Sequence, residues 1–331
     1  MMYKISKNKL MELLKRLGKE NKLIAPVKLE KDVEFAYVEN VEDIIFDFGN
    51  TVKPAKDFFL PQSESILLFT KDQIRANIKK EKRVLFGIRT CDLYGLRAMD
   101  FVFKDTVEDN YYLEKRKNTI IIVYGCSNNC NDNAFCDSFF GHTAKDNFDI
   151  QVINIDKDNF FVEFGSDVGK SIIEKNISLF AKLNKEELYK VDKIKNTKIN
   201  KKTLNKDLLF DNLNKKRFGH VDYWKEISKT CLRCGACTYL CPSCFCNNIF
   251  DNSESRIRRW DSCMFRGFTR QAGGFIPRED LFKRFRQRIY HKYKWHKDRY
   301  GIDMCTGCGR CISYCPGLID YFRIIEEISN G

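Results

Sequence analysis

The spacing of apolar residues changes along this chain, and with it the expected local structure. Between Lys7 and Leu17 (KNKLMELLKRL) apolar side chains recur at helical intervals, which predicts an amphipathic helix. Three later runs, RVLFGI (Arg83 to Ile88), TIIIVY (Thr119 to Tyr124) and QVINI (Gln151 to Ile155), are short, nearly continuous and β-rich. Strands of that kind are buried on both faces, so residues 1–182 are expected to form an α/β domain with a partly parallel sheet. Residues 183–217 shift to Lys, Asn and Glu with little apolar periodicity, as in KVDKIKNTKINKKTLNK, and read as a basic, polar, solvated connector. Within residues 218–331, Leu281, Phe285, Ile289 and Tyr293 recur every four residues and predict a helix with one apolar face. Its other face carries Lys283, Arg284, Arg286, Arg288, Lys292, Lys294, Lys297 and Arg299. That face is expected to be a solvated surface or a docking surface for an acidic partner.

A chain of 331 residues with 43% apolar and 31% charged residues suits two globular domains. Its longest apolar runs, such as Ile120 to Tyr124, fall far short of a membrane span. The N-terminal stretch lacks an apolar core followed by a small-residue cleavage site, and the expectation is a cytoplasmic protein. Fifteen cysteines without a secretion signal point to metal ligation in a reducing compartment rather than to disulfides. The formal net charge of +13 raises nucleic acid as a partner, because Lys and Arg neutralise phosphates. Two four-thiolate clusters, each carrying roughly −2, would lower that excess to roughly +9. Basicity is therefore weak evidence for a nucleic-acid partner.

The cysteines carry the chemistry. Cys231, Cys234, Cys237 and Cys241 form CLRCGACTYLCP, and Cys305, Cys308, Cys311 and Cys315 form CTGCGRCISYCP. Each matches C-x2-C-x2-C-x3-C-P, in which three closely spaced thiolates wrap one 4Fe-4S cluster and the fourth turns to the other. The expected pairing is crossed: Cys231, Cys234, Cys237 and Cys315 on cluster 1, Cys305, Cys308, Cys311 and Cys241 on cluster 2. Gly235, Ala236, Gly307 and Gly309 leave room for the backbone to approach sulfur. A pair of zinc sites is the rival, but zinc sites use separated ligand pairs rather than two identical runs ending in Cys-Pro. The motifs are separated by 63 residues, Pro242 to Met304, which resembles helical dicluster domains of respiratory subunits more than a compact ferredoxin.

Seven cysteines remain. Cys244 and Cys246 (CPSCFC) and Cys263 (WDSCM) are read as small apolar residues packed near the clusters. Cys91 follows one predicted strand, and Cys126, Cys130 and Cys136 follow another. Two strand ends of one sheet would bring these four thiols together as a third 4Fe-4S cluster, with zinc or unligated thiols as the alternatives.

With these residues in view, the chain resembles the iron-sulfur subunit family shared by cytoplasmic sulfhydrogenase, where it is the beta subunit, and anaerobic sulfite reductase. The resemblance rests on TVKPAKDFFLPQSESILLF from Thr51, TCDLYGLRAMD from Thr90, DNYYLEKRKNTIIIVYGC ending at Cys126, CLRCGACTYLCPSCFC, WDSCM, QAGG from Gln271, YHKYKWHKDRYGIDMCTGCGRC and CPGLID, and it spans nearly the whole chain. It implies an electron relay between a flavin subunit that handles NAD(P)H and a catalytic subunit, either sirohaem sulfite reductase or nickel-iron hydrogenase. Where that family has Cys-Phe-Cys this chain has Ala134-Phe135-Cys136, so Cys130 is the expected substitute.

No G-x-G-x-x-G follows a strand, no G-x4-G-K-[ST] or H-E-x2-H occurs, and His142, His220, His291 and His296 lack ligand spacing. The expectation is an α+β protein, an N-terminal α/β domain followed by a mainly helical dicluster ferredoxin-like domain. It would serve sulfite reductase first, and a nickel-iron sulfhydrogenase as the alternative. The rival from another class is a nucleic-acid-binding iron-sulfur protein.

Overall fold

The structure is a computed structural model that describes residues 2–215 and 220–331. The expected boundary between connector and dicluster region, at residues 217 and 218, lies outside the described residues.

The N-terminal half runs β1 (Met2–Ser6), α1 (Lys7–Gly18), β2 (Lys22–Leu29), β3 (Asp32–Tyr37), β4 (Ser63–Phe69), β5 (Ile74–Ala76), β6 (Arg83–Ile88), α2 (Thr90–Phe103), α3 (Asn110–Lys117), β7 (Thr119–Tyr124), β8 (Ile150–Asn154), β9 (Asn159–Phe164), α4 (Asp167–Lys175) and β10 (Ala181–Lys182). Eight of these strands form one mixed sheet in the order β10-β1-β9-β8-β7-β6-β2-β3. The pairs β2–β6, β6–β7 and β7–β8 are parallel, and the flanking pairs antiparallel. As the apolar runs require, β6 is buried along its whole length. One face packs Leu10, Leu13 and Leu14 of α1 against Phe86 and Val152. The other packs Leu93, Leu96 and Met99 of α2 against Leu85 and Val123.

The stretch expected as a solvated connector contains α5 (Lys185–Asn196) and α6 (Lys206–Lys215). A capping box at Asn184 and Glu187 starts α5. Leu209 and Leu213 of α6, one helical turn apart, are buried in the core of the C-terminal region, so four residues' spacing outweighed the polar composition.

That region adds α7 (Val221–Ser228), α8 (Ala236–Tyr239), β11 (Asn247–Asp251), β12 (Ser255–Trp260), α9 (Leu281–Tyr290), α10 (His296–Tyr300), α11 (Arg310–Ser313) and α12 (Tyr321–Asn330). It is mainly helical, but β11 and β12 join β4 and β5 in a second sheet, order β11-β12-β4-β5. The pairing of Arg259 with Ser63 and Ser255 with Leu68 ties the two halves of the chain through backbone hydrogen bonds. Among the described residues no helix is long and apolar enough to cross a membrane.

The predicted helix around Leu281 forms, with Phe285, Ile289 and Tyr293 buried. Its basic face is not a solvated surface: Arg284, Arg286, Arg288 and Lys292 are buried as well. Only part of the expected charge, such as Arg299, is exposed. A π-helical turn at His291–Trp295 joins α9 to α10. Lys292 and Tyr293 of this turn are both buried.

Candidate iron-sulfur centres

The two cysteine motifs fold as matching loops. Each has a glycine with positive φ before a one-turn helix, Gly235 (φ 80°) before α8 and Gly309 (φ 77°) before α11. A side chain at Gly307 would stand 2.6 Å from the backbone of Phe135 and Cys136, so only glycine lets the loops close. Cys231, Cys234, Cys237 and Cys315 line one small cavity together with Met264, Ile319 and Tyr321. Cys305, Cys308, Cys311 and Cys241 line another, with Arg288, Lys292, Tyr293 and Tyr321. Tyr321 is common to both cavities. Its ring stacks on Phe285 with centroids 5.6 Å apart.

Among the described residues no three His, Cys, Asp or Glu side chains close around one point as the ligands of a single ion do. The cysteines stand instead around cavities.

The electrostatics of these cavities are lopsided. Lys292 donates from Nζ to Cys241 Sγ (3.0 Å) and Ser243 Oγ (3.0 Å), and Tyr293 Oη donates to Cys305 Sγ (3.4 Å). Arg288 donates to Cys244 Sγ (3.6 Å) and to the Cys237 carbonyl, and its guanidinium lies over Tyr321. Lys56, from the N-terminal half, reaches the carbonyls of Thr238 (3.1 Å) and Cys244 (2.8 Å) and sits over Trp260. All three cations are buried, and none forms an ion pair with a carboxylate among the described residues. A buried charge needs a counter-charge, and cysteine sulfurs lie beside all three. Burial pushes Lys56 below its ordinary value against the pull of Cys244, Cys241 and Cys246. Burial also works against Lys292, but Cys241 and Cys244 outweigh it and raise its value. The thiols themselves are pushed up by burial, Cys305 to about 11 and Cys130 to about 12. Ligation by metal is what deprotonates such thiols, and four-iron clusters of net negative charge fit this donor set.

The four N-terminal cysteines lie at the carboxyl ends of β6 and β7. Cys91 is in the first turn of α2, and Cys126 and Cys130 share an open cleft with Arg89, Phe48 and Tyr124. Cys136 hydrogen-bonds Asn200 Oδ1 (3.2 Å), so the supposed connector closes this site. Cys126 and Cys130 both act electrostatically on Cys136, and Cys130 and Cys308 on Cys91. Cys130 is thus near both Cys136 and Cys91, and Cys91 is near Cys308 of the second cavity. Asn50 and Asn131 both donate to the Cys308 carbonyl (2.8 and 3.0 Å), and Phe135 N–H donates to the Gly307 carbonyl (2.7 Å).

Of the remaining cysteines, Cys244 is buried beside Cys241, and Cys246 and Cys263 form a hydrogen-bonded pair that pushes the Cys263 thiol down to about 6. Of the histidines, His142 bonds Asp137 (2.8 Å) and the Ile194 carbonyl (2.9 Å), and His296 bonds the Ile302 and Ala98 carbonyls.

Residues 230–319 match the 4Fe-4S dicluster domain family, a span that holds all eight motif cysteines. Over 327 residues the chain is 31% identical to sulfhydrogenase 2 subunit beta of Pyrococcus furiosus, covering 97% of this chain and 96% of that protein. The chain belongs to the sulfhydrogenase beta-subunit family. One component of the F420-reducing [NiFe] hydrogenase complex from Methanosarcina barkeri overlaps 58% of this chain and 88% of its own length, at 12% identity and a TM-score of 0.37. As a member of the beta-subunit family the protein is an iron-sulfur electron carrier, and its dicluster domain implies two 4Fe-4S clusters.

Sequence reasoning missed the residues that surround the sulfurs: Lys56, Arg288, Lys292 and Tyr321. One signal was present. Arg288 and Lys292 are four apart and each precedes an apolar-face residue, Ile289 and Tyr293, so they flank the stripe rather than oppose it.

Proposed function

We propose that this chain relays electrons within a hydrogenase-type complex, between a flavin subunit that handles NAD(P)H and a nickel-iron catalytic subunit. Its full-length relative is a sulfhydrogenase component, which favours hydrogenase over the sirohaem sulfite reductase that sequence reasoning put first. The observation that carries the reading is the pair of cavities with crossed cysteine sets and Tyr321 between them. In this reading Cys231, Cys234, Cys237 and Cys315 hold cluster 1, and Cys305, Cys308, Cys311 and Cys241 hold cluster 2. Cys91, Cys126, Cys130 and Cys136 hold a third.

A 4Fe-4S cluster, when bound, takes up and gives back one electron. The chain's part is to set the three ligand groups side by side, exclude water from the middle one, and supply positive charge. Cys305 and Cys308 are buried, whereas Cys234 is exposed and the Cys126–Cys130 cleft is open, so the outer sites face solvent and the inner one does not. Lys292, Arg288 and Tyr293 donate toward sulfur or its neighbouring carbonyl and offset added negative charge there. The inward turn of the basic helix also takes away one of the two features behind the nucleic-acid reading, the other being the basic stretch that follows residue 183.

The test is reconstitution without oxygen. The isolated chain should be reduced by dithionite but should not oxidise NADH. Combined with flavin and nickel-iron subunits, it should restore hydrogen-dependent reduction of NAD(P)+. Oxidation of NADH by the isolated chain would overturn the reading.

A further inference from the structure

Around the first cavity two leucines are held where a folded chain alone has no use for them. Leu232, between Cys231 and Cys234, is 62% exposed, and Leu318, three residues after Cys315, is 89% exposed. Leu318 has φ 52° and Arg233, next to Leu232, has φ 58°, a left-handed backbone that glycine or asparagine adopts readily and leucine does not. The geometry explains why the turn is needed. Leu318 N–H donates to the Cys315 carbonyl (3.0 Å), and the turn delivers Ile319 N–H to Cys315 Sγ (3.3 Å) and buries Ile319. It does not explain why the residue at the turn is a leucine.

The two loops form one surface. A side chain at Gly317 would stand 2.4 Å from the Thr230 carbonyl and 3.6 Å from Cys231 Cα, so the Leu318 turn lies directly on the Leu232 loop. Cys234, which lines the first cavity with Leu232, Gly317 and Ile319, is the exposed member of the fifteen cysteines. An exposed ligand sulfur is the shortest route from this centre to anything outside the protein. Arg233 is exposed beside it, and Arg266, near enough to act on the same neighbour, Arg284, is paired with Glu279. An apolar pair with an exposed arginine, Arg233, beside an exposed ligand fits one kind of surface, an apolar patch with an acidic neighbour on a protein that carries its own redox centre.

We propose that Leu232 and Leu318 are the docking contacts through which a redox subunit seats over Cys234, making this loop pair an electron port of the chain. The proposal rests on the relay reading above, and the experiment separates the two. Full-length chain would be purified without oxygen together with its redox subunits, as wild type, as Leu232→Asp/Leu318→Asp, as Leu318→Gly, and as Val107→Asp, a control that is also largely exposed (82%) but far from any cysteine motif in sequence. The double variant should keep its iron and its paramagnetic signals yet bind its redox partner at least tenfold more weakly by size exclusion, while Val107→Asp binds normally. Leu318→Gly gives the sharper result, since a glycine relieves the turn: its melting temperature should equal or exceed that of wild type while docking weakens. A residue kept for folding would behave in the opposite way. Should the double variant lose iron, Leu318→Gly alone decides.

Undiminished docking in Leu318→Gly, or in an iron-replete double variant, would overturn the proposal. So would an isolated wild-type chain that dimerises and becomes monomeric in these variants, because the patch would then serve a second copy. Wild type that assembles with no redox partner would contradict the relay reading instead.

Discussion

Asp92 and Arg310 stand 218 positions apart and form a buried, two-bond ion pair, Nη1 to Oδ1 at 2.5 Å and Nη2 to Oδ2 at 3.0 Å. Arg310 also donates to the Thr51 carbonyl (2.6 Å) and hydroxyl (3.2 Å). Arg310 lies between Cys308 and Cys311, and Asp92 follows Cys91. The pair therefore fixes the second motif against the first turn of α2, and with it the spacing between the middle and N-terminal sites.

Removing one partner leaves the other charge buried and uncompensated, which costs about 3–5 kcal/mol. Asp92→Asn and Arg310→Met should each lower the denaturant midpoint by that order, followed by loss of visible cluster absorbance without oxygen. The double substitution to apolar residues should lose less than the two single losses combined. Additive losses would mean that the pair does not act as a unit.

Lys292 puts an ammonium 3.0 Å from Cys241 Sγ. A charged donor favours the more electron-rich sulfur, so Lys292→Met should lower the reduction potential of the centre at Cys305, Cys308 and Cys311. Taking about 1.5–3 kcal/mol for a hydrogen bond to a charged group, the fall is at least about 60 mV for one electron. Redox titration with paramagnetic detection reads it, and Lys292→Arg should recover most of the loss. An unchanged potential would show that the ammonium does not act on that centre.

Crossed ligation makes a specific demand on Cys241. Cys241→Ala should disturb the same paramagnetic signal as Cys305→Ala and leave the one disturbed by Cys231→Ala. Disturbance of the Cys231 signal would mean that each motif ligates locally.

The third site is tested by stoichiometry. Protein isolated without oxygen should hold about twelve iron and twelve sulfide per chain, and Cys126→Ala/Cys136→Ala about four fewer of each. About eight in the wild type would remove the third centre and leave the other two.

The strands and the eight motif cysteines were legible because both are local signals: continuous β-rich runs, and thiols two or three residues apart. The mixed α/β half and the dicluster region followed from them. What escaped was non-local. Arg288 and Lys292 look like surface residues in any sequence, since burying a cation is costly unless an anion awaits it, and the sulfurs they donate to, Cys244 and Cys241, are more than forty positions away. The helices of residues 183–217 were hidden by their charged outer faces, because only Leu209 and Leu213 of α6 and Val191 of α5 are buried. The sharing of a sheet by β4 and β12 depends on strands some 190 residues apart, as in the bond between Ser65 and Ser255, and no local pattern announces it.

If electrons from hydrogen pass through this chain, hydrogen must reduce the chain's own iron. The direct measurement loads the chain alone with the Mössbauer-active iron isotope, rebuilds the complex with unlabelled partner subunits, and exposes it to hydrogen. Only this chain's iron is then seen. Hydrogen should convert its spectrum to that of reduced 4Fe-4S clusters, and NAD(P)+ should reverse the change. A spectrum that stays oxidised under hydrogen while dithionite still reduces it would contradict the account and place the chain off the electron path.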